Sequence, residues 1–143
     1  MRKEWEDIQL TTRATAGSAG YDFYLPRNTC IPSDYTDHEG TLIPTGIRIV
    51  MEPGWLLALL PRSGLGFKNG FRLANTVGII DSDYSNADNE GHIMAKALAS
   101  KPLALHKGDR FLQGILIPYG LAGEEVMNFA ARTGGFGSTG GVA

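Results

Sequence analysis

Residues Pro61 to Tyr84 read PRSGLGFKNGFRLANTVGIIDSDY, and this stretch decides the fold class. Its apolar runs are short. Phe71 to Asn75 and Val77 to Ile80 have strand character, and glycine, asparagine and lysine punctuate the rest. The only room for helix is a single turn over Ser63 to Lys68, with Ser63 as its expected cap. The chemistry is as uneven as the pattern. Arg62, Ser63 and Lys68 put cations and a hydroxyl at one end, whereas Asp81, Asp83 and Tyr84 close the other. A site for an anionic ligand, with Asp81 available to activate water, fits that distribution.

Working outward, the same alternation of short apolar runs and turns continues in both directions. On the N-terminal side, Ile8 to Leu10 is a first short strand, followed by a polar and small segment, Thr11 to Ser18. Tyr21 to Leu25 (YDFYL) alternates, so Asp22 and Tyr24 are expected on a wet face opposite Tyr21, Phe23 and Leu25. Cys30 and Ile31, then Thr41 to Ile43, flank a charged surface loop, Ser33 to Gly40, whose His38 has no assignable role. Ile47 to Met51 and Trp55 to Leu60 are separated by Glu52-Pro53-Gly54, which predicts a hairpin. On the C-terminal side, a polar stretch, Ser82 to Gly91, precedes strands at His92 to Leu98, Leu103 to Leu105 and Arg110 to Pro118. The last is apolar on both faces apart from Gln113, as expected of a strand in a core or at a subunit contact. An amide in such a strand costs about 1–3 kcal/mol if left unpaired, so Gln113 must have a partner. Strands at close spacing without intervening helices predict an all-β sandwich, barrel or jelly roll with almost no helix.

Composition narrows the function classes. With 143 residues the chain is one domain, large enough to bury roughly 70% of the surface exposed when unfolded. Thirteen basic against 15 acidic side chains, a net charge of -2, leave no electrostatic footprint for nucleic acid. A single cysteine, Cys30, excludes an internal disulfide and every Cys-based zinc pattern; it is expected to be a small buried hydrophobe in a cytoplasmic protein. The N-terminal MRKEWEDIQL lacks the apolar run of a signal peptide, and no window reaches the length of a membrane span.

The last twelve residues, Arg132 to Ala143, read RTGGFGSTGGVA. Gly135, Gly137 and Gly140 match a dinucleotide fingerprint, but only three residues follow, too few for the required helix. Arg132, Phe136, Ser138 and Thr139 instead supply a phosphate-binding cation, a stacking face and hydroxyl donors within a backbone able to wrap an anion. A frayed terminus and a functional arm are both open on this composition.

Five segments in order, AGYDFYL (Ala19 to Leu25), PRSGLGFKNG (Pro61 to Gly70), NTVGIIDSDY (Asn75 to Tyr84), GDRFLQ (Gly108 to Gln113) and RTGGFGSTG (Arg132 to Gly140), resemble the five motifs of the trimeric deoxyuridine triphosphatases. The resemblance implies a distorted jelly roll (β-clip-like) over residues 1–131 and a glycine-rich arm over 132–143. It further implies a homotrimer with each active site shared at a subunit boundary and capped by the arm of a third chain. The implied reaction is hydrolysis of dUTP to dUMP and pyrophosphate with Mg2+.

Residue by residue, Asp81 matches the carboxylate that deprotonates the water attacking the α-phosphorus. Tyr84 matches the ring under the deoxyribose that excludes a 2'-hydroxyl, and Asn75 the amide that reads uracil. Arg62, Ser63 and Gln113 match phosphate contacts, with backbone N–H groups of a helical turn at Ser63 aimed at the anion. Gly64, Gly78, Arg132, Phe136, Gly137, Ser138 and Thr139 complete the implied substrate-binding set. Asp22 is the candidate for magnesium, directly or through water, and Arg110 is expected to pair with a carboxylate. Most metal ligands would be triphosphate oxygens and water.

Two departures stand out. The chain inserts SNADNEG (Ser85 to Gly91) after Tyr84, and its arm has one residue fewer between Arg132 and the glycine pair than the commonest pattern. Some members of the family, mostly bacterial or phage, are similar at both points. Two alternatives remain: a dCTP deaminase of the same fold, and a nucleotide-binding regulatory protein. A further regulatory protein partner stays open.

Overall fold

The computed structural model describes residues 7–123 and 134. The first half of the chain forms β1 (Thr12–Arg13), β2 (Tyr21–Tyr24), β3 (Thr29–Ile31), β4 (Thr41–Pro44) and β5 (Trp55–Pro61). A short helix, α1 (Ser63–Asn69), then leads to β6 (Arg72–Leu73), β7 (Gly78–Asp81), a 3-10 helix (Ser82–Asn86), β8 (Met94–Leu98), β9 (Leu103–Leu105) and β10 (Arg110–Pro118). The fold is all-β, as the spacing of apolar runs predicts. No helix among the described residues is long and apolar enough to cross a membrane.

Three sheets arise. The largest has the order β1-β2-β10-β5-β7, a second pairs β3 with β9, and a third has the order β4-β8-β6. All ladder pairings within them are antiparallel. Between the sheets lies one apolar core in which Phe23, Leu57, Phe71, Ile93, Phe111 and Leu112 are almost completely buried. Gly114 of β10 admits the closest approach there: a Cβ at that position would lie 2.9 Å from both Leu57 Cδ1 and Phe23 Cε2.

Residues 8–10 are not a strand; the first strand among the described residues begins at Thr12. The segment 47–51 is not one either, so no hairpin joins it to β5. Gly46, at φ 74°, turns the backbone out of the β region, and its N–H donates to His92 Nε2 at 2.9 Å instead of to a ladder carbonyl. The Pro53-Gly54 turn does form, but β5 finds its partners in β10 and β7. Asp22 is not on a wet face: it is 6% exposed, because two arginine side chains cover it. Cys30 is exposed, since its neighbour Ile31 takes the inward position of β3. The capping residue of α1 is Arg62, and Ser63 is the first helical residue. The start of β10 is buried, but Leu116 and Ile117 are about 40% exposed, an apolar surface left over within one chain.

Candidate functional site

The motif residues gather in two places. The first is a cleft of about 680 Å³ between β7 and β8, lined by Asn75, Gly78, Tyr84, Met94 and Lys96 together with apolar side chains. Asn75 reaches it from a tight turn in which its carbonyl accepts from Val77 N–H at 2.7 Å, with Thr76 at φ 69°. A threonine in left-handed backbone is uncommon, and here it reverses the chain between β6 and β7. Tyr84 comes from the 3-10 helix and is 4% exposed, its ring forming part of the cleft wall. Asp81 ends β7 immediately after Ile80, a lining residue, and is exposed. It occupies the capping position of the 3-10 helix, but its carboxylate does not cap it.

The second gathering is a charged cluster across β2, β10 and the start of α1. Arg62 Nη1 donates to Asp22 Oδ1 at 2.7 Å, and Arg110 Nη1 donates to Asp22 Oδ2 at 3.2 Å. Two cations around one nearly buried carboxylate leave the cluster with a net positive charge. The Arg62 side chain keeps 30% of its surface, so its guanidinium is oriented on one side and accessible on the other. Arg110 pairs with a carboxylate as expected. Gln113 sits opposite Asp22 on β2 and Leu60 on β5, and its Nε2 donates to the Pro61 carbonyl at 3.3 Å, giving the amide the partner its burial demands. In α1, Leu65 and Gly66 N–H groups take the Arg62 carbonyl. The N–H groups of Ser63 and Gly64 precede the first intrahelical bonds and so face outward from the helix start.

The two gatherings are far apart within one chain. Asp81 is in register with Leu56, and Arg62 lies six residues further along the same strand direction, a separation of roughly 20 Å at about 3.4 Å per residue. The Arg62 guanidinium also turns toward β2, which is three positions from β7 in the sheet.

Both Asp22 oxygens already accept from guanidinium groups, and the described residues contain no group of three or more His, Cys, Asp or Glu able to hold a cation. The described residues therefore build no protein cage for magnesium, and a metal role for Asp22 would run through water.

Arg132, Phe136, Gly137, Ser138 and Thr139 lie outside the described residues. Motif reading missed Met94 and Lys96 of the cleft. Their signal was the alternation of β8, where Ala95 and Ala97 are buried and Met94 and Lys96 face the other way.

An amide and a tyrosine ring lining an apolar cleft, with a carboxylate at the adjoining strand end and an arginine cluster elsewhere on the same all-β domain, are in keeping with the class of β-fold enzymes that handle nucleotide phosphates. The comparisons make this specific. A family model described as dUTPase matches residues 6–140. A deoxyuridine 5'-triphosphate nucleotidohydrolase of Lactococcus lactis is 39% identical over 137 residues, covering 93% of this chain and 89% of the relative. The crystal structure of the dUTPase of Streptococcus mutans superposes with a TM-score of 0.70 at 36% identity, over 83% of this chain and 95% of that one. The dUTPase of phage phi11 of S. aureus, whose structure concerns the coordination of a structural Mg(II) ion, shares the fold at 17% identity and a TM-score of 0.69, over 87% and 93% of the two chains. The chain belongs to the dUTPase family.

Proposed function

We propose that the chain hydrolyses dUTP to dUMP and pyrophosphate, at sites shared between copies in a homotrimer. The observation that carries the reading is the cleft in which Asn75 and Tyr84 lie beside the strand end that bears Asp81. Asn75 offers one donor and one acceptor, the complement of a carbonyl and an imide N–H on uracil. The Tyr84 ring takes the deoxyribose and leaves no room for a 2'-hydroxyl. Asp81 accepts a proton from a water whose oxygen bonds to the α-phosphorus, while the bond from that phosphorus to the bridging oxygen breaks and pyrophosphate leaves with the electron pair.

Phosphate binding falls to Arg62, Ser63, Gly64 and Gln113, and the separation of about 20 Å along β5 supports their coming from a different copy than Asp81. The exposed apolar end of β10 supports the same assembly. Magnesium enters with the triphosphate as part of the substrate. Arg132, Phe136, Gly137, Ser138 and Thr139 close over the bound nucleotide.

Incubation with dUTP, dCTP, dTTP and UTP plus magnesium tests the reading. Formation of dUMP and pyrophosphate from dUTP alone is expected. Release of ammonia from dCTP would move the chain to the deaminases of this fold.

A further inference from the structure

The insertion after Tyr84 folds back onto the residue it follows. Asn89 Nδ2 donates to the Tyr84 hydroxyl oxygen at 2.8 Å and to the His92 carbonyl at 3.1 Å, and the Tyr84 hydroxyl itself donates to the same carbonyl at 2.9 Å. Asn89 Oδ1 accepts from Gly91 N–H at 3.1 Å, which fixes the orientation of the amide. The three groups form a closed triangle around the end of the tyrosine ring.

Backbone geometry makes this return possible. Glu90 at φ 63° and Gly91 at φ 70° form a left-handed turn that brings the insertion against Ser85. A Cβ at Gly91 would lie 2.6 Å from Ser85 Cα, so the approach is available to glycine alone. Both flanks of the insertion are also held from outside it. Arg48 donates to the Ser85 carbonyl through Nε at 3.2 Å and Nη2 at 2.9 Å, and His92 Nε2 accepts from Gly46 N–H at 2.9 Å. The anchor to which Asn89 ties the tyrosine is therefore itself braced by the segment 46–48.

We infer that Asn89 is a positioning residue for sugar selectivity, acting through the Tyr84 hydroxyl to fix the ring against the cleft. This rests on the reading of Tyr84 as the group that excludes a ribose. The ring is already packed in the core at 4% exposure, so what remains to be set is where its hydroxyl end comes to rest within that packing. The bond to the His92 carbonyl and the bond from Asn89 approach the oxygen from different directions and together set that position. A steric filter works only as well as its wall is held, because a 2'-hydroxyl needs only a small displacement to be accommodated.

The test is the ratio of kcat/KM for dUTP to that for UTP, measured in the full chain for wild type, Asn89→Ala, Asn89→Asp, Tyr84→Phe and the Asn89→Ala/Tyr84→Phe double variant. Asn89→Asp keeps the acceptor for Gly91 N–H and guards against a turn that fails to form. A fall in the ratio of up to about three- to tenfold is expected in both Asn89 variants, the upper figure being reached when the loss of one hydrogen bond of ordinary strength favours UTP alone. In the Tyr84→Phe background, Asn89→Ala should produce no further fall, since the hydroxyl through which it acts is gone. An unchanged ratio in both single Asn89 variants, or an equal fall with and without the Tyr84 hydroxyl, would reduce Asn89 to a turn former and overturn the inference. Absence of dUTP turnover in the wild type would instead overturn the functional reading, and this inference with it.

Discussion

Asp81 and Arg62 lie at opposite ends of β5: Asp81 is in register with Leu56, and Arg62 directly follows the strand's last residue, Pro61. Their separation of roughly 20 Å is longer than the triphosphate both are proposed to serve. The first prediction follows from it. Asp81→Asn and Arg62→Ala variants, each nearly inactive alone, should regain activity when unfolded together in equal amounts and refolded as mixed trimers. Random assembly gives about a quarter of boundaries an intact Asp81 from one chain and an intact Arg62 from its neighbour. If each site were built within one chain, no mixed species would hold both residues and activity would stay at the level of the single variants.

Asp81→Asn by itself should keep the fold and the affinity for dUTP while lowering turnover by about 10²-fold or more, the lower end of what a positioned base contributes. The amide keeps the shape of the carboxylate and removes its basicity. Turnover within a few-fold of wild type, by steady-state kinetics, would remove Asp81 from the chemistry.

Asp22 separates an ion-pair role from a metal role. Its oxygens are held by Arg62 and Arg110, and no acidic cluster accompanies it among the described residues. Calorimetric titration of magnesium into the free protein should give no binding, with heat appearing once a non-hydrolysable dUTP analogue is present. Asp22→Asn should lower stability by about 1–3 kcal/mol in urea, because a charge-assisted acceptor for two guanidinium groups is weakened. Tight magnesium binding to the free protein, abolished in Asp22→Asn, would reverse the assignment.

Gly114→Ala tests the core. A Cβ there would lie 2.9 Å from Leu57 and Phe23 atoms that are themselves nearly fully buried, so neither neighbour can give way cheaply. Overpacking of this kind costs about 1–3 kcal/mol. Equilibrium denaturation should show a lower midpoint with an unchanged slope.

How much was legible in the sequence depended on whether a residue's setting is local. The α1 turn, the break at Pro53-Gly54 and β7 carry their geometry in adjacent residues and were readable, whereas the positive φ of Thr76 and the 3-10 helix that presents Tyr84 were not. Asp22 was misread because alternation assigns a face without saying what covers it, and its cover comes from Arg62 and Arg110, 40 and 88 residues away in sequence. The segment 47–51 has the composition of a strand, but the conformation of Gly46 and its bond to His92 prevail over it. Asn89 was invisible as a contact to Tyr84. Its polar, glycine-containing neighbourhood reads as loop, and the positive φ of Glu90 is a feature that composition does not announce.

The final prediction concerns residues 132–143, five of whose first ten are glycine. Ordering ten or so residues costs roughly 10 kcal/mol, and glycine raises that figure. A segment of this composition can add little to the stability of the β domain. On the proposed reading its side chains serve the bound nucleotide instead: Arg132 for phosphate, Phe136 for base stacking, Ser138 and Thr139 as donors. Deleting Arg132 to Ala143 should therefore leave thermal unfolding and dUMP binding close to wild type and lower kcat/KM for dUTP by about 10²-fold or more. That size follows if closure excludes water and completes the phosphate contacts only in the triphosphate complex. Limited proteolysis gives an independent readout: cleavage within 132–143 should slow when the dUTP analogue and magnesium are added and should not slow with dUMP alone. A truncated protein with full turnover, or cleavage indifferent to the analogue, would remove these residues from the site.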